Sequence, residues 1–330
     1  MNESELLAAA KRGEERAFAR LVEPYRHELL VHSYRMLGSA PDAEDALQDA
    51  LFDAWKGLPR FEGRSSLRSW LYTVTTNACI KVIRRRPKRV LPIDYGPAAD
   101  PHGPVGEPVT ESVWLEPYPD EQLRYEERET VELAFVAALQ NLPARQRAVL
   151  ILRDVLGFSA REVAEILDAT PPSIDSALQR AHKTVDGRLP ERSQQATLRS
   201  LDDERLREIV DGYVQAWESA DVDALVGLLS HDAVFTMPPQ REWFEGREAI
   251  AAFLASRPLR EGSRWRVMPT DANGQLAFAQ YEWNPESESY AAHAITVLTL
   301  EGSQIREITV FRMPDVFARF GLPDLLGERA

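Results

Sequence analysis

Ser173, Ser176, Arg180 and Lys183 stand three, four and three residues apart, the spacing of one helix face. Ile174, Ala177, Leu178, Ala181 and Val185 fill the opposite face. Short hydroxyls near the N-terminal end of such a helix reach base edges in a major groove, and the two cations further along reach phosphate or a guanine. A second cationic set, Arg84, Arg85, Arg86, Lys88 and Arg89, closes an earlier helix. Such a patch reads either as a solvated helix end placed favourably on its dipole or as a phosphate site, and each phosphate neutralised would release counterions, so that binding would weaken steeply with salt. Metal chemistry has no comparable signal. The six histidines are scattered without ligand spacing, and the single cysteine, Cys79, excludes an internal disulfide and a thiolate cluster. No metal and no cofactor is expected.

These side chains need helices to hold them. A framing helix is predicted from Pro143 to Leu156, stopped by Gly157. Ser159 with Glu162 three residues on forms a capping box, opening a short helix over Ala160–Leu167. After the turn at Asp168–Ala169, Thr170 caps the reading helix and Pro171 sits where its missing N–H costs nothing. The result is a helix-turn-helix, and the competing reading is a helical bundle with no DNA function. Upstream, apolar residues at helical spacing predict helices over 3–22, from Pro24 to Leu37, over Asp42–Leu58 and over Leu67–Arg86, with Pro87 as the stop. Leu67, Trp70, Leu71, Val74, Ala78 and Val82 are the expected inner stripe of the last.

Composition divides the chain into 1–89 and 123–188, both all-α, a Pro- and acid-rich linker over 90–122, a short polar linker over 189–201, and an α+β unit over 202–330. In the last, helices give way to alternating runs such as Gln275–Trp283 and Ala291–Leu300. There Ala277, Ala279, Tyr281 and Trp283 share one face, and His293, Ile295, Val297 and Thr299 another. Val113, Trp114, Leu115 and Tyr118 are too apolar for a mere tether and predict an anchor onto a neighbouring domain, with a ligand role as the alternative.

The formal charge of −13 would argue against nucleic acid, but its distribution does not. Gly63–Ile93 holds eight basic residues and no acid, whereas residues 200–330 hold 12 arginines, no lysine and 22 acids. No apolar run approaches membrane-spanning length, and the first residues contain no signal core, so a cytoplasmic location is expected.

The stretch ARQRAVLILRDVLGFSAREVAEILDATPPSIDSALQRA resembles region four of bacterial extracytoplasmic-function sigma factors, which recognises the −35 promoter element. MLGSAPDAEDALQDALFDAWKGLPRFEGRSSLRSWLYTVTTNACIKVIRRRPKR resembles region two, which grips the polymerase clamp and opens the −10 element. The linker's EPVTESVWLEPYPDE and the appended domain are similar to the sigma-G-like branch, whose last domain is SnoaL-like, of the nuclear-transport-factor-2 type. The resemblance implies that Asp45, Gln48, Asp49, Phe52 and Trp55 dock on the β′ clamp of core RNA polymerase, with a further contact to the β flap. It implies that Gly63, Ser65, Ser66, Leu67, Trp70, Thr76 and Asn77 hold the −10 strand, beside the cations at 84–89. A base leaving the stack costs a few kcal/mol and needs a polar pocket to repay it. Lys81 departs from the pattern, which usually has an acid there.

For the C-terminal domain the resemblance implies a cone closed by helices around a pocket, with Tyr213, Trp217, Phe235, Trp243, Trp265, Tyr281, Trp283 and His293 among the lining or core residues. Related folds include enzymes, for which His231, Asp232 and His293 would be the proton-transfer groups here. The expected function is a non-enzymatic initiation factor that directs core polymerase to promoter DNA. Its last domain would tune activity by intramolecular contact with the two helical domains, with or without a small-molecule ligand. The alternatives are a stand-alone helix-turn-helix regulator with a ligand-sensing domain, and a SnoaL-like enzyme with a DNA-targeting module.

Overall fold

Gly13, at φ +94°, breaks the first predicted helix in two, giving α1 (Glu3–Lys11) and α2 (Glu15–Leu37). Pro24 lies inside α2, where its ring removes one rung of the ladder without ending a 23-residue helix packed along most of its length. This computed structural model describes residues 2–109 and 113–327; Thr110–Ser112 of the linker motif and the last residues of the C-terminal domain lie outside the described residues. Ser39 caps α3 (Ala40–Gly57), accepting the Asp42 N–H at 3.3 Å, and Ser66 caps α4 (Leu67–Ile83), accepting the Ser69 N–H at 3.0 Å. α4 ends three residues earlier than its cation content suggests, because Arg84–Arg86 form a turn ahead of Pro87. Its inner face is also rotated from the expected stripe. Leu71, Thr75, Thr76, Cys79 and Ile80 are buried, while Trp70, Val74 and Val82 are only partly so.

After the linker come α5 (Leu133–Gln140) and α6 (Ala144–Leu150), the latter widening into a π turn over Ile151–Val155 rather than continuing regularly to Leu156. Gly157, at φ +71°, then turns the chain into α7 (Ala160–Ile166) and α8 (Pro171–Val185). The capping box is present as expected: Ser159 N–H donates to Glu162 Oε2 at 2.8 Å, and Glu162 N–H to Ser159 Oγ at 3.2 Å.

Contacts gather the chain into two compact units that composition does not separate in the same way. The first joins Met1–Arg89 with Ala134–Leu189 over a single apolar core, so the two helical blocks are one body. Tyr72 meets Phe158 edge-on, with ring centroids 5.1 Å apart. Arg147 is buried and donates to the carbonyls of Met36, Gln140 and Leu142 and to Gln140 Oε1. Burial pulls its guanidinium down to about 10.

The second unit comprises Val90–Leu133 and Pro190–Ala330. The stretch expected to be a polar linker contains α9 (Gln194–Leu198). Then follow α10 (Asp203–Glu218), α11 (Val222–Gly227), β1 (Leu229–Thr236), β2 (Trp243–Glu245), α12 (Arg247–Ser256), β3 (Trp265–Ala272), β4 (Gln275–Asn284), β5 (Ser289–Glu301), β6 (Gln304–Phe311) and β7 (Leu325–Leu326). The strand order is β2-β1-β6-β5-β4-β3, with β7 beside β5. Among the described strands of this sheet, β1 and β6 pair in parallel and the other pairs are antiparallel. Ile209, Tyr213, Trp217, Ile250, Phe253 and Leu254 from the helices bury against Phe235, Phe278 and Leu298 of the sheet.

Much of the Pro-rich linker is fixed on this sheet. Trp114, Leu115 and Tyr118 are buried, and the β3–β4 turn is held from several sides. Tyr118 N–H donates to Asn273 Oδ1 at 2.8 Å, Asn273 N–H returns to the Tyr118 carbonyl at 2.9 Å, and Gly274 N–H donates to Asp120 Oδ1 at 2.7 Å. Gly274 has φ +67°, and a Cβ there would stand 2.7 Å from the Arg128 carbonyl oxygen, so only glycine fits this approach. Glu132 accepts the N–H groups of Gln194 and Gln195 at 2.9 and 2.8 Å, capping α9 from within the linker. Burial pushes Asp120 up to about 6 and Glu132 up to about 7, against the pull of these N–H donors.

Candidate nucleic-acid interface and cone cavity

α8 presents Ser173, Ser176, Arg180 and Lys183 together on one exposed face, while Ile174, Ala181 and Val185 are buried beneath. Ser173 also completes the helix cap, its hydroxyl donating to the Thr170 carbonyl at 2.7 Å. The outer face of α3 is equally open. Asp45, Gln48 and Asp49 are exposed, and Phe52 leaves 57% of its surface in solvent. Trp55 is half-buried, its ring 5.1 Å from Phe18, so it supports this face from below.

The residues expected to hold the −10 strand divide into two groups. Gly63, Ser65, Ser66 and Trp70 lie around a cleft of about 180 Å³ lined by Arg60, Phe61, Glu62, Arg64, Ser65 and Trp70, and Asn77 is exposed on α4. Gly63 holds φ +74°, Ser66 is the α4 cap, and Trp70 packs 5.0 Å from Phe61. Thr76 is not at the surface. It is buried, with Oγ1 2.9 Å from His32 Nε2, and burial holds the His32 imidazole down at about 3. The cation run also splits. Arg84 and Arg85 are exposed, but Arg86 and Arg89 both bind the buried carboxylate of Asp42, and Lys88 Nζ donates to Asn141 Oδ1 at 2.5 Å. Arg89 is itself buried and offers nothing to DNA in this conformation.

In the second unit the sheet and helices enclose a cavity of about 330 Å³. Trp217, Phe235, Trp265 and His293 line it as expected, joined by Met237, Phe253, Val310 and the polar Gln280 and Glu282. The other expected residues lie elsewhere. Tyr213 is in the core rather than the lining, its ring tilted against Phe278 with centroids 4.4 Å apart. Trp243 faces away from the cavity and donates through Nε1 to the Gly96 carbonyl at 2.8 Å. Tyr281 and Trp283 occupy the opposite sheet face, against Phe317 and Tyr290. β4 alternates as expected, but the lining face is that of Phe278, Gln280 and Glu282.

His293 reaches the cavity through a bulge. Gln280 pairs with Ala294 and Tyr281 with Ala292, so His293 is the extra residue and leaves the face of Ile295 and Val297. Its Nδ1 stands 3.2 Å from Glu282 Oε2, and its ring meets Trp265 edge-on at 5.0 Å. The His293 hydrogen bond draws the Glu282 carboxyl below its usual range, aided by Arg312 and Arg260. Glu282 lacked any sequence signal beyond alternation. His231 and Asp232 are exposed, and Asp232 pairs with Arg306 at 2.8 Å, so neither joins His293. Among the described residues no group of three or more His, Cys, Asp or Glu is placed to hold a metal ion, and no helix is long and apolar enough to cross a membrane.

Comparison with known proteins agrees with this division. Residues 21–89 match the Sigma-70 region 2 family, 132–185 match Sigma-70, region 4, and 210–308 match the SnoaL-like domain family. The ECF RNA polymerase sigma factor SigG of Mycobacterium tuberculosis is 38% identical over 318 residues, covering 94% of this chain and 85% of that protein. SigM of the same organism is 31% identical over 182 residues, 54% of this chain and 81% of its own. The crystal structure of the Mycobacterium tuberculosis extracytoplasmic function sigma factor SigJ superposes with a TM-score of 0.59 at 20% identity, covering 91% of this chain and 98% of that one, and so shares the fold. Both helical blocks and the appended α+β domain fall in the same order in a relative matched over nearly the whole chain, and this protein belongs to the extracytoplasmic-function sigma factors of RNA polymerase.

Proposed function

We propose that α3 docks this sigma factor on the β′ clamp of core polymerase, that the cleft beside Trp70 takes a base of the melted −10 strand, and that α8 reads the −35 duplex. The observation that carries the reading is Phe52. A large apolar side chain more than half exposed, amid Asp45, Gln48 and Asp49, is what a protein partner covers and water does not favour. The cleft's aromatic wall, Trp70 with Phe61, suits an unstacked base, and Arg60 on its rim suits a phosphate, while Arg64 is paired with Glu62 at 2.5 Å. The region-four half would meet the β flap. No chemical step is assigned to the chain, and its second unit acts by holding the linker that joins the two halves of the promoter grip.

Run-off transcription with core polymerase tests this. Phe52→Ala with Asp49→Ala should lower both core co-purification and transcript yield at least about tenfold, as expected for loss of central interface residues, with circular dichroism unchanged. Full co-purification would remove α3 from the interface. Gly274→Ala, which pries the linker from unit 2, should change transcript yield at fixed core concentration. An unaltered yield would sink the tuning role.

A further inference from the structure

We propose that the cone cavity binds a small organic acid, a flat apolar body carrying one carboxylate, and that the bound acid is sensed by the chain's own linker. The cavity's size, about 330 Å³, is at the small end of ligand sites. Its interior offers mostly apolar contact: Gln280 is engaged, accepting from Thr296 at 2.8 Å and donating to Tyr213 at 3.4 Å, and Trp217 Nε1 is a buried donor with no protein partner among the described residues. Trp217 and Trp265, edge to face at 5.4 Å, make an aromatic wall against which a planar group can lie. The charged groups sit at the rim, and the rim is mainly cationic. Arg257, Arg260 and Arg312 face a single carboxylate, Glu282, which His293 already engages. Among the described residues, the guanidiniums of Arg260 and Arg312 make no hydrogen bond and no ion pair within 4 Å. Two such arginines at the mouth of an aromatic-walled cavity fit a carboxylate, which each can bind in a two-pronged manner.

The linker forms part of the same wall. Val105 lines the cavity, and the strap around it is pinned at four places. Ala99 N–H donates to the Trp243 carbonyl at 2.8 Å, Gly106 N–H to Glu242 Oε1 at 3.0 Å, and Val109 N–H to the Pro239 carbonyl at 3.0 Å. Arg257 donates to the Gly103 carbonyl at 2.8 Å, so one rim arginine already holds the strap. An acid in the cavity touches Val105 directly and competes for, or reinforces, the Arg257 contact. Occupancy is thereby passed to the segment that joins the two promoter-binding blocks. The inference goes beyond the initiation role, and its test needs neither polymerase nor DNA.

The full-length protein is titrated with 3-phenylpropionate and indole-3-acetate, and with the amide of each, following tryptophan fluorescence and amide hydrogen exchange of residues 99–109. The acids should saturate the fluorescence change, with the amides at least about tenfold weaker, the scale of a charge-assisted pair. Exchange in the strap should change on binding, and Arg260→Ala with Arg312→Ala should remove the acid preference while leaving the melting temperature unchanged. Val105→Trp should block binding by filling the cavity. Equal affinity for acid and amide, no saturable response to either acid, or binding with unaltered strap exchange would each overturn the proposal, and promoter function would stand untouched.

Discussion

The helix-turn-helix over 160–185 and the chain from Arg84 to Leu133 are both rich in polar groups, yet they spend them in opposite ways. On α8 the polar face of Ser173, Ser176, Arg180 and Lys183 lies at the surface. In the later part of the cation run and in the linker, polar groups turn inward. Arg86 and Arg89 go to Asp42, Lys88 to Asn141, Asp120 to Gly274, and Glu132 to α9. A surface that binds others and a surface that binds its own chain can thus share a composition. What separates them is whether a regular element sets the direction of each side chain.

The sharpest way to break the contrast is Asp42→Asn. Removing a buried carboxylate from two arginines strands the charge of Arg89, at a cost of about 3 kcal/mol, read as a lower urea midpoint with normal helix content. A near-neutral result would mean that these arginines are surface cations after all. Gly274→Ala should cost about 2 kcal/mol through its left-handed φ and the clash with the Arg128 carbonyl. Proteolysis between 113 and 133 should accelerate with it, and an unchanged cleavage rate would argue against a clamped linker.

A smaller effect follows from pH. Asp120 and Glu132 have carboxyls raised to about 6 and about 7 from ordinary values of 3.8 and 4.5, so the folded state holds their protons more tightly than the unfolded chain. Their contribution is complete below the unfolded values and is lost as pH rises through the folded ones, so the stability of unit 2 falls as pH rises from about 4 to about 7. Unfolding of unit 2, followed at several pH values, checks the sign; Glu132→Gln should flatten much of the slope. Least of all in stability should be Arg180→Ala and Lys183→Ala, within about 0.5 kcal/mol of the parent. Each should instead reduce promoter binding by holoenzyme and lower the salt slope by about one. Loss of stability without loss of binding would assign the face to packing.

Legibility in the sequence follows the same line. The capping box at Ser159, the start of α8 after Thr170 and the α8 face were readable because period and cap chemistry are local, although at Thr170 the side-chain bonds come from Ser173. The destination of Arg89 was not, since Asp42 lies on another helix and the run continues past Pro87, where period no longer applies. Thr76 carried a family expectation of DNA contact, and the hydroxyl serves His32 instead. His293 was legible as a cavity residue only through the resemblance; by alternation it belonged with Ile295, and a single bulge reversed it. The α9 residues Gln194 and Gln195 read as polar spacer because their partners, Leu300 and Glu132, are remote in sequence.

The docked linker has a mechanical consequence. Left as a free coil, the segment between Arg89 and Ala134 would let its ends wander over a root-mean-square separation of roughly 35 Å. Pinned at Tyr118, Asp120 and Glu132 on one sheet and one short helix, it has little slack to give. The appended domain thus takes up most of the slack in its own chain, and what it fixes there is a length rather than a charge.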